Sequence, residues 1–370
     1  MRKFLYTFVI AVTCVSLNNI PTSASTTSGL PENYSPTRVV TIRPPYGYSP
    51  GPISVRLSQS EIVAIRQMQT IADKWAPEVN IHAPIKWYIE PGTENSPTLA
   101  LAKQALVQAQ YLLSRPQLTD FSETSIIIGR TQRFLKKTVA EHNCFPNLDF
   151  LNDTFLMGAT ICKRRVIVIN FTGYFYVKSS DDLGVASHET TPEPALEITP
   201  YLFADRNIAS LAHEWTHRVR RLPSENLFAH NEPLWLAEGM AEVVGGLSIV
   251  KASKGRKTYL DFHVVRLRKF SDLQTTCRAS LTQYRNRSSN VSGCEYLRGA
   301  AAVELLLSRF GGIRNVNRLY DDSNLTGDFV QSFSNVYHMS LRAFELRADK
   351  YMSYIRRADH AGVKKAAISQ

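Results

Sequence analysis

The sequence predicts an α+β protein: a mixed β-sheet with helices packed on it, followed by a mainly helical C-terminal part. Three observations predict it. Between Ser58 and Phe171, short runs of β-branched and apolar residues alternate with stretches of helical apolar spacing. From Tyr201 onward the spacing is almost entirely helical. The 370 residues are 44% hydrophobic and 20% charged, which is the balance of a chain that buries a sizeable core.

The elements follow in order. Residues 1–25 have the three parts of a secretory signal: Arg2 and Lys3, an apolar run from Phe4 to Leu17, and small residues around Ala24 for cleavage. The run is short for a membrane span, so an uncleaved anchor is the alternative reading. Residues 26–57 are rich in Pro, Ser, Thr and Tyr, as in Arg43-Pro44-Pro45-Tyr46. They predict an extended or disordered arm, either a plain linker or a segment that shields a cleft. Ser58 to Lys74 predicts a helix capped by Ser58 or Ser60, with Ile62, Ile65, Met68 and Ile71 at apolar spacing. Pro84 to Glu90 alternates like a strand, and Ser96-Pro97 opens a helix to about Leu113 with Leu99, Ala102, Leu106 and Ala109 inward. Ser125 to Gly129 is a short strand, Thr131 to Glu141 a helix, and Arg165 to Phe171 the strongest strand signal in the chain. Ser179 to Pro200 is polar and acidic, a surface loop in which His188-Glu189 has no metal role. The expected division is therefore an α/β part over 58–221, a helical part over 222–360 and a tail over 361–370.

Of the cysteines, Cys14 falls in the signal; Cys144, Cys162, Cys277 and Cys294 remain. An even set in an exported chain suggests disulfides, which can pair in three ways. The local pairing, Cys144–Cys162 and Cys277–Cys294, closes the shortest loops. The net charge is +11, but Lys and Arg are spread along the chain. This predicts a solvated basic surface and no nucleic-acid partner. After the signal no stretch is apolar enough to span a membrane, so the mature chain is expected to be secreted, periplasmic or at the cell surface.

The chemistry concentrates in Leu211-Ala212-His213-Glu214-Trp215-Thr216-His217. Two imidazoles four residues apart lie one helical turn apart and can share a metal ion; Glu214 between them can activate a water. A helix from Asp205, its cap, to Arg221 puts Ile208, Leu211, Ala212, Trp215 and Val219 on one apolar stripe. His213 and His217 fall on the opposite side. Arg218, Arg220 and Arg221 then form a solvated helix end, where cations suit the dipole. A second helix opens at Pro233 and ends at Gly245-Gly246. Its Glu238 can return to complete a His, His, Glu set with one open position, the pattern of a catalytic zinc site. His230, in the return loop, is a lesser candidate for touching substrate.

His213-Glu214-x-x-His217 together with Trp235-Leu236-x-Glu238-Gly239-x-Ala241 resembles the gluzincin metallopeptidases, over roughly residues 150 to 355. The resemblance implies a zincin-like fold and one zinc ion held by His213, His217 and Glu238. It makes Glu214 the general base and Glu242 a carboxylate that accepts a hydrogen bond from a ligand histidine. Tyr296-Leu297-Arg298-Gly299-Ala300 resembles a Tyr-x-Lys-Gly-Ala stretch of the aminopeptidase-like members, which implies Tyr296 as the oxyanion donor. Phe333 to Tyr354 resembles the closing helices. Arg165 to Phe171 is either the edge strand that binds an extended peptide or a central core strand. Gly158-Ala159-Thr160 lacks the Met-Glu-Asn that would follow in a site for free amino termini, which favours endopeptidase action. The expected function is an exported zinc metallopeptidase with a peptide or protein substrate. The alternative is a non-catalytic scaffold or binding protein of the same fold at the cell surface.

Overall fold

A computed structural model describes residues 36–42, 53–77, 79, 82–95, 97–114, 123–129, 131–144, 158–162, 165–170, 200–220, 232–264, 277–286 and 294–368. Residues 1–25, expected as a signal, the prolines at 44 and 45, residues 179–199, expected as a loop with His188 and Glu189, and His230 lie outside them.

The first described residues correct the sequence reading. Part of the expected arm is an antiparallel pair, β1 (Pro36–Ile42) and β2 (Ile53–Ser58), with Val40 opposite Val55 and Thr41 opposite Ser54. Proline dominates the composition there, but the flanks carry β-branched residues in pairs that a ladder selects. β2 runs straight into α1 (Gln59–Lys74) through a reciprocal cap. The Ser58 hydroxyl accepts from the Glu61 amide, and the Glu61 carboxylate accepts from the Ser58 amide at 2.8 Å.

The second sheet has the order β3 (Ile85–Ile89), β4 (Thr124–Gly129), β6 (Val166–Asn170), β5 (Gly158–Cys162). β3, β4 and β6 are parallel, and β5 is antiparallel to β6. The mixed sheet is thus as expected, but β6 is central and not an edge. Its run of Val and Ile, buried from Val166 to Ile169, belongs to a strand covered on both faces. Among the described residues, the edge strand beside it is β5. Between the strands lie α2 (Pro97–Leu112) and α3 (Gln132–Glu141). The inward residues Leu99, Ala102, Leu106 and Ala109 of α2 are fully buried. α3 is capped by Thr131, which Glu90 at the end of β3 also grips, at 2.6 Å to the hydroxyl and 2.9 Å to the amide.

Among the described residues, every further long element is helical. α4 (Pro200–Arg220) begins five residues before the expected cap, so Asp205 lies inside it; Pro200 opens the helix instead. α5 (Leu234–Ala252) runs through Gly245 and Gly246, which were expected to end it. These glycines mark close packing. A Cβ on Gly245 would sit 3.2 Å from the Ala209 Cβ, and one on Gly246 would strike the Phe262 ring at 2.5 Å. α5 is buried almost all round, so it is the central helix, packed by α4, by α2, and by α7 (Cys294–Arg309). The short α6 (Tyr259–Phe262), α8 (Gly312–Thr326), α9 (Phe329–Tyr337) and α10 (Leu341–Ile368) complete the set. α10 continues through the stretch expected as a tail. His338, with φ of 51°, breaks α9 from α10. No described helix is long and apolar enough to cross a membrane.

Cys277 and Cys294 form a disulfide, as expected from their spacing. Cys144 is disulfide-bonded too; the side chain of Cys162, its expected partner, lies outside the described residues.

Candidate metal centre

α4 presents two faces. Leu211, Ala212, Trp215 and Val219 are buried on the stripe expected of them. His213 and His217 occupy another face, with their side chains 12% and 9% exposed. Arg218 departs from expectation: it is buried, with its guanidinium 4.9 Å from the Trp215 ring centre. A cation stacked on indole is held by the ring face, and does not extend into solvent. The side chains of Arg220 and Arg221 lie outside the described residues.

α5 brings Glu238 to the histidines. Its start is fixed in three ways. The Leu234 amide donates to the Arg285 carbonyl at 2.8 Å. The Trp235 indole donates to Glu345 of α10 at 3.1 Å. Arg285 grips the same carboxylate with two hydrogen bonds, at 2.7 and 2.5 Å. Glu238 then faces α4 one turn into the helix.

The donor atoms converge. Nε2 of His217 is 3.1 Å from Nε2 of His213 and 3.1 Å from Oε2 of Glu238; Nε2 of His213 is 3.5 Å from the same oxygen. A tetrahedral zinc ion with bonds of about 2.0–2.1 Å spaces its ligand atoms roughly 3.3 Å apart. Two imidazoles and a carboxylate at this spacing fit such an ion, and His213, His217 and Glu238 can hold a metal. Their electrostatics agree with that chemistry. Burial pushes the Glu238 carboxyl up, but hydrogen bonds and charge from His213 and His217 outweigh it and hold it well below the usual carboxylate range. Burial opposes charge on His213, while Glu238, Glu242 and Glu214 together raise it. The pocket is built to stabilise positive charge.

Glu242 is one turn beyond Glu238, and its Oε1 lies 3.5 Å from Nδ1 of His213. A proton on Nδ1 facing that carboxylate leaves the Nε2 lone pair pointing at the ligand position. Glu242→Ala is expected to weaken metal binding about 10–100-fold with the fold retained. Competition against a chelator measures this; unchanged affinity would remove Glu242 from any orienting role.

Glu214 is buried on α4, close enough for its charge to act on both His213 and Tyr296. The ring of Tyr296 stacks on His213, with centroids 5.9 Å apart and planes within 18°. Burial first, then the carboxylates of Glu238, Glu295, Glu214 and Glu242, push the phenol far above its usual range. It therefore keeps its proton and stays a donor. Thus all six expected site residues meet in one place.

Sequence reasoning missed what sets Tyr296 there. α5 and α7 cross at Gly239 and Gly299. A Cβ on Gly299 would lie 2.1 Å from the Trp235 carbonyl oxygen, and one on Gly239 would lie 2.2 Å from the Gly299 backbone. Only glycine permits that approach, and each stands next to, or one turn from, a site residue. A glycine inside an apolar helical run was the available signal. Arg298 adds a buried anchor, donating to the Cys277 carbonyl at 2.7 Å and to Asp349 of α10 at 2.5 Å. With the Cys277–Cys294 bond it pins the first turns of α7.

No family model, curated protein or solved structure matches the chain. The likeness to gluzincins rests on the two motifs and on the side chains they bring together.

Proposed function

We propose that the chain is an exported zinc metallopeptidase that hydrolyses peptide bonds within a polypeptide. One observation carries this reading: His213, His217 and Glu238 converge at zinc-ligand spacing with Glu214 and Tyr296 beside them. When bound, zinc supplies Lewis acidity, which makes water a nucleophile near neutral pH and polarises a carbonyl oxygen. Glu214 takes the proton from the attacking water and passes it to the leaving amine. The Tyr296 hydroxyl donates to the oxyanion that develops on the substrate carbonyl. Glu242 holds His213 in the tautomer that leaves Nε2 free. Gly158-Ala159 is followed by Thr160-Ile161-Cys162 and not by Met-Glu-Asn, which supports internal cleavage over removal of terminal residues. Disulfide bonding of Cys277 and Cys294 supports an oxidising compartment.

The test is peptide-library cleavage by the purified mature chain, with metal content measured in parallel. Expected is one zinc per chain and cleavage that a chelator abolishes and added zinc restores. Bound zinc with no cleavage would favour the scaffold reading; chelator-resistant cleavage would remove the metal from the mechanism.

A further inference from the structure

A second buried cluster of titratable side chains lies outside the metal centre and plays no part in the proposed chemistry. His263, at the end of α6, has both ring nitrogens against carboxylates. Nδ1 is 2.7 Å from Oε2 of Glu304 on α7, and Nε2 is 3.0 Å from Oε1 of Glu61 on α1. All three side chains are fully buried.

The far oxygen of each carboxylate is already engaged. Oε2 of Glu61 accepts from the Ser58 amide at 2.8 Å and from the Ser58 hydroxyl at 2.9 Å. Oε1 of Glu304 accepts from the Tyr351 hydroxyl of α10. Each ring-facing oxygen lies within hydrogen-bond distance of a ring nitrogen. A neutral imidazole has only one N–H, and its bare nitrogen would set a lone pair against a carboxylate oxygen within 3.0 Å. The arrangement needs one proton more than a neutral ring with two carboxylates supplies.

We propose that Glu61, His263 and Glu304 form a clamp closed by a single buried proton on an imidazolium, which seats α7 against α1 and α6, and that losing this proton at alkaline pH loosens α7 and displaces Tyr296. The second half rests on the peptidase reading, because Tyr296 matters only if the site is catalytic. Glu304 and Tyr296 share α7, about 12 Å apart along its axis. The Gly299 crossing lies between them, so a shift of the helix at Glu304 is felt at Tyr296.

The groups facing His263 are Glu61 from α1 and Glu304 from α7; Tyr351 of α10 donates to Glu304, and Tyr259 on α6 itself lies close enough to feel the Glu304 charge. Among the described residues, α5 sets no titratable side chain acting on the ring. Burial opposes the imidazolium, but Glu304 and Glu61 outweigh it and push His263 up to about 9. Tyr259 and Tyr351 are pushed well above the phenol range by burial and by Glu304, so both keep their protons. The sign follows. A group raised from about 6.5 when unfolded to about 9 when folded stabilises fully below the lower value, and the contribution disappears as pH rises through the upper one.

The deciding variant is Glu61→Gln. A glutamine amide can donate to the bare nitrogen of a neutral ring while its oxygen still accepts from Ser58. It closes the clamp without the extra proton. In the full chain, the thermal midpoint of the wild type is expected to fall by roughly 3 °C between pH 7 and pH 10 beyond any change in Glu61→Gln. Parallel falls in the two proteins would overturn the clamp. Independently, 15N shifts of the His263 ring should show two N–H groups in the wild type at pH 7 and one in Glu61→Gln; a neutral wild-type ring at pH 7 would also overturn it. The alkaline limb of kcat should move to higher pH in Glu61→Gln with zinc content unchanged; an unmoved limb would overturn the link to Tyr296. If no peptide is cleaved, the peptidase reading fails while the unfolding and ring measurements still decide the clamp.

Discussion

Glu214→Gln is expected to keep one zinc per chain and to lower kcat/KM by at least about 10²–10⁴-fold, the usual contribution of a positioned general base. The residue is buried beside the ligands but is not among the converging donor atoms, so its amide leaves the metal set intact. Gln matches Glu in size and can still hydrogen-bond, but it cannot take a proton from water or return one to the leaving amine. The measurement is cleavage of a fluorogenic peptide chosen from the library, with zinc determined on the same sample. Full activity in this variant would sink the mechanism. Loss of zinc as well would mean that Glu214 shapes the ligand set and is not only the base.

The second large effect is expected at the α5–α7 crossing. Gly299→Ala places a methyl group 2.1 Å from a backbone oxygen, a contact that no rotamer change can relieve. The two helices must separate, at a cost at or above the usual 1–3 kcal/mol of about one overpacked methyl. Glu238 sits on one helix and Tyr296 on the other, so separation also moves the phenol away from the ligand set. Urea unfolding with cleavage rates at matched folded fraction measures both consequences. Gly239→Ala forces the same separation, so the double variant should cost clearly less than the sum of the two. Strict additivity would show that the glycines do not act at a common contact.

The parts of the site visible in the sequence share a property: their geometry is set within one helix. His213 and His217 are related by one helical turn, Glu238 and Glu242 by another, and such spacings are written in the chain. The same holds for the cap at Ser58, whose partner lies three residues away. What escaped depends on who packs against whom. Gly245 and Gly246 resemble a helix stop until Ala209 and Phe262 are seen against them. The Val and Ile run of β6 suits an edge and a centre equally until β5 is placed beside it. Arg218 suits a solvated helix end until the Trp215 ring lies under it. His263 meets Glu304 and Glu61 across 41 and 202 residues, beyond any local periodicity. The β1–β2 pair was hidden differently: proline content masked two β-branched flanks that read correctly once paired.

The anchoring of α5 and α7 to α10 has a consequence in time. The ligand pair of α4 leaves the ribosome well before Glu345 and Asp349, the carboxylates that hold Trp235, Arg285 and Arg298. At ordinary elongation rates the interval is roughly six to twenty-five seconds. Until then the growing chain carries its histidines without the parts that seat Glu238 and Tyr296 opposite them. The centre therefore needs α10 before it is fully set, and a chain cut short ahead of α10 has the motif without its setting.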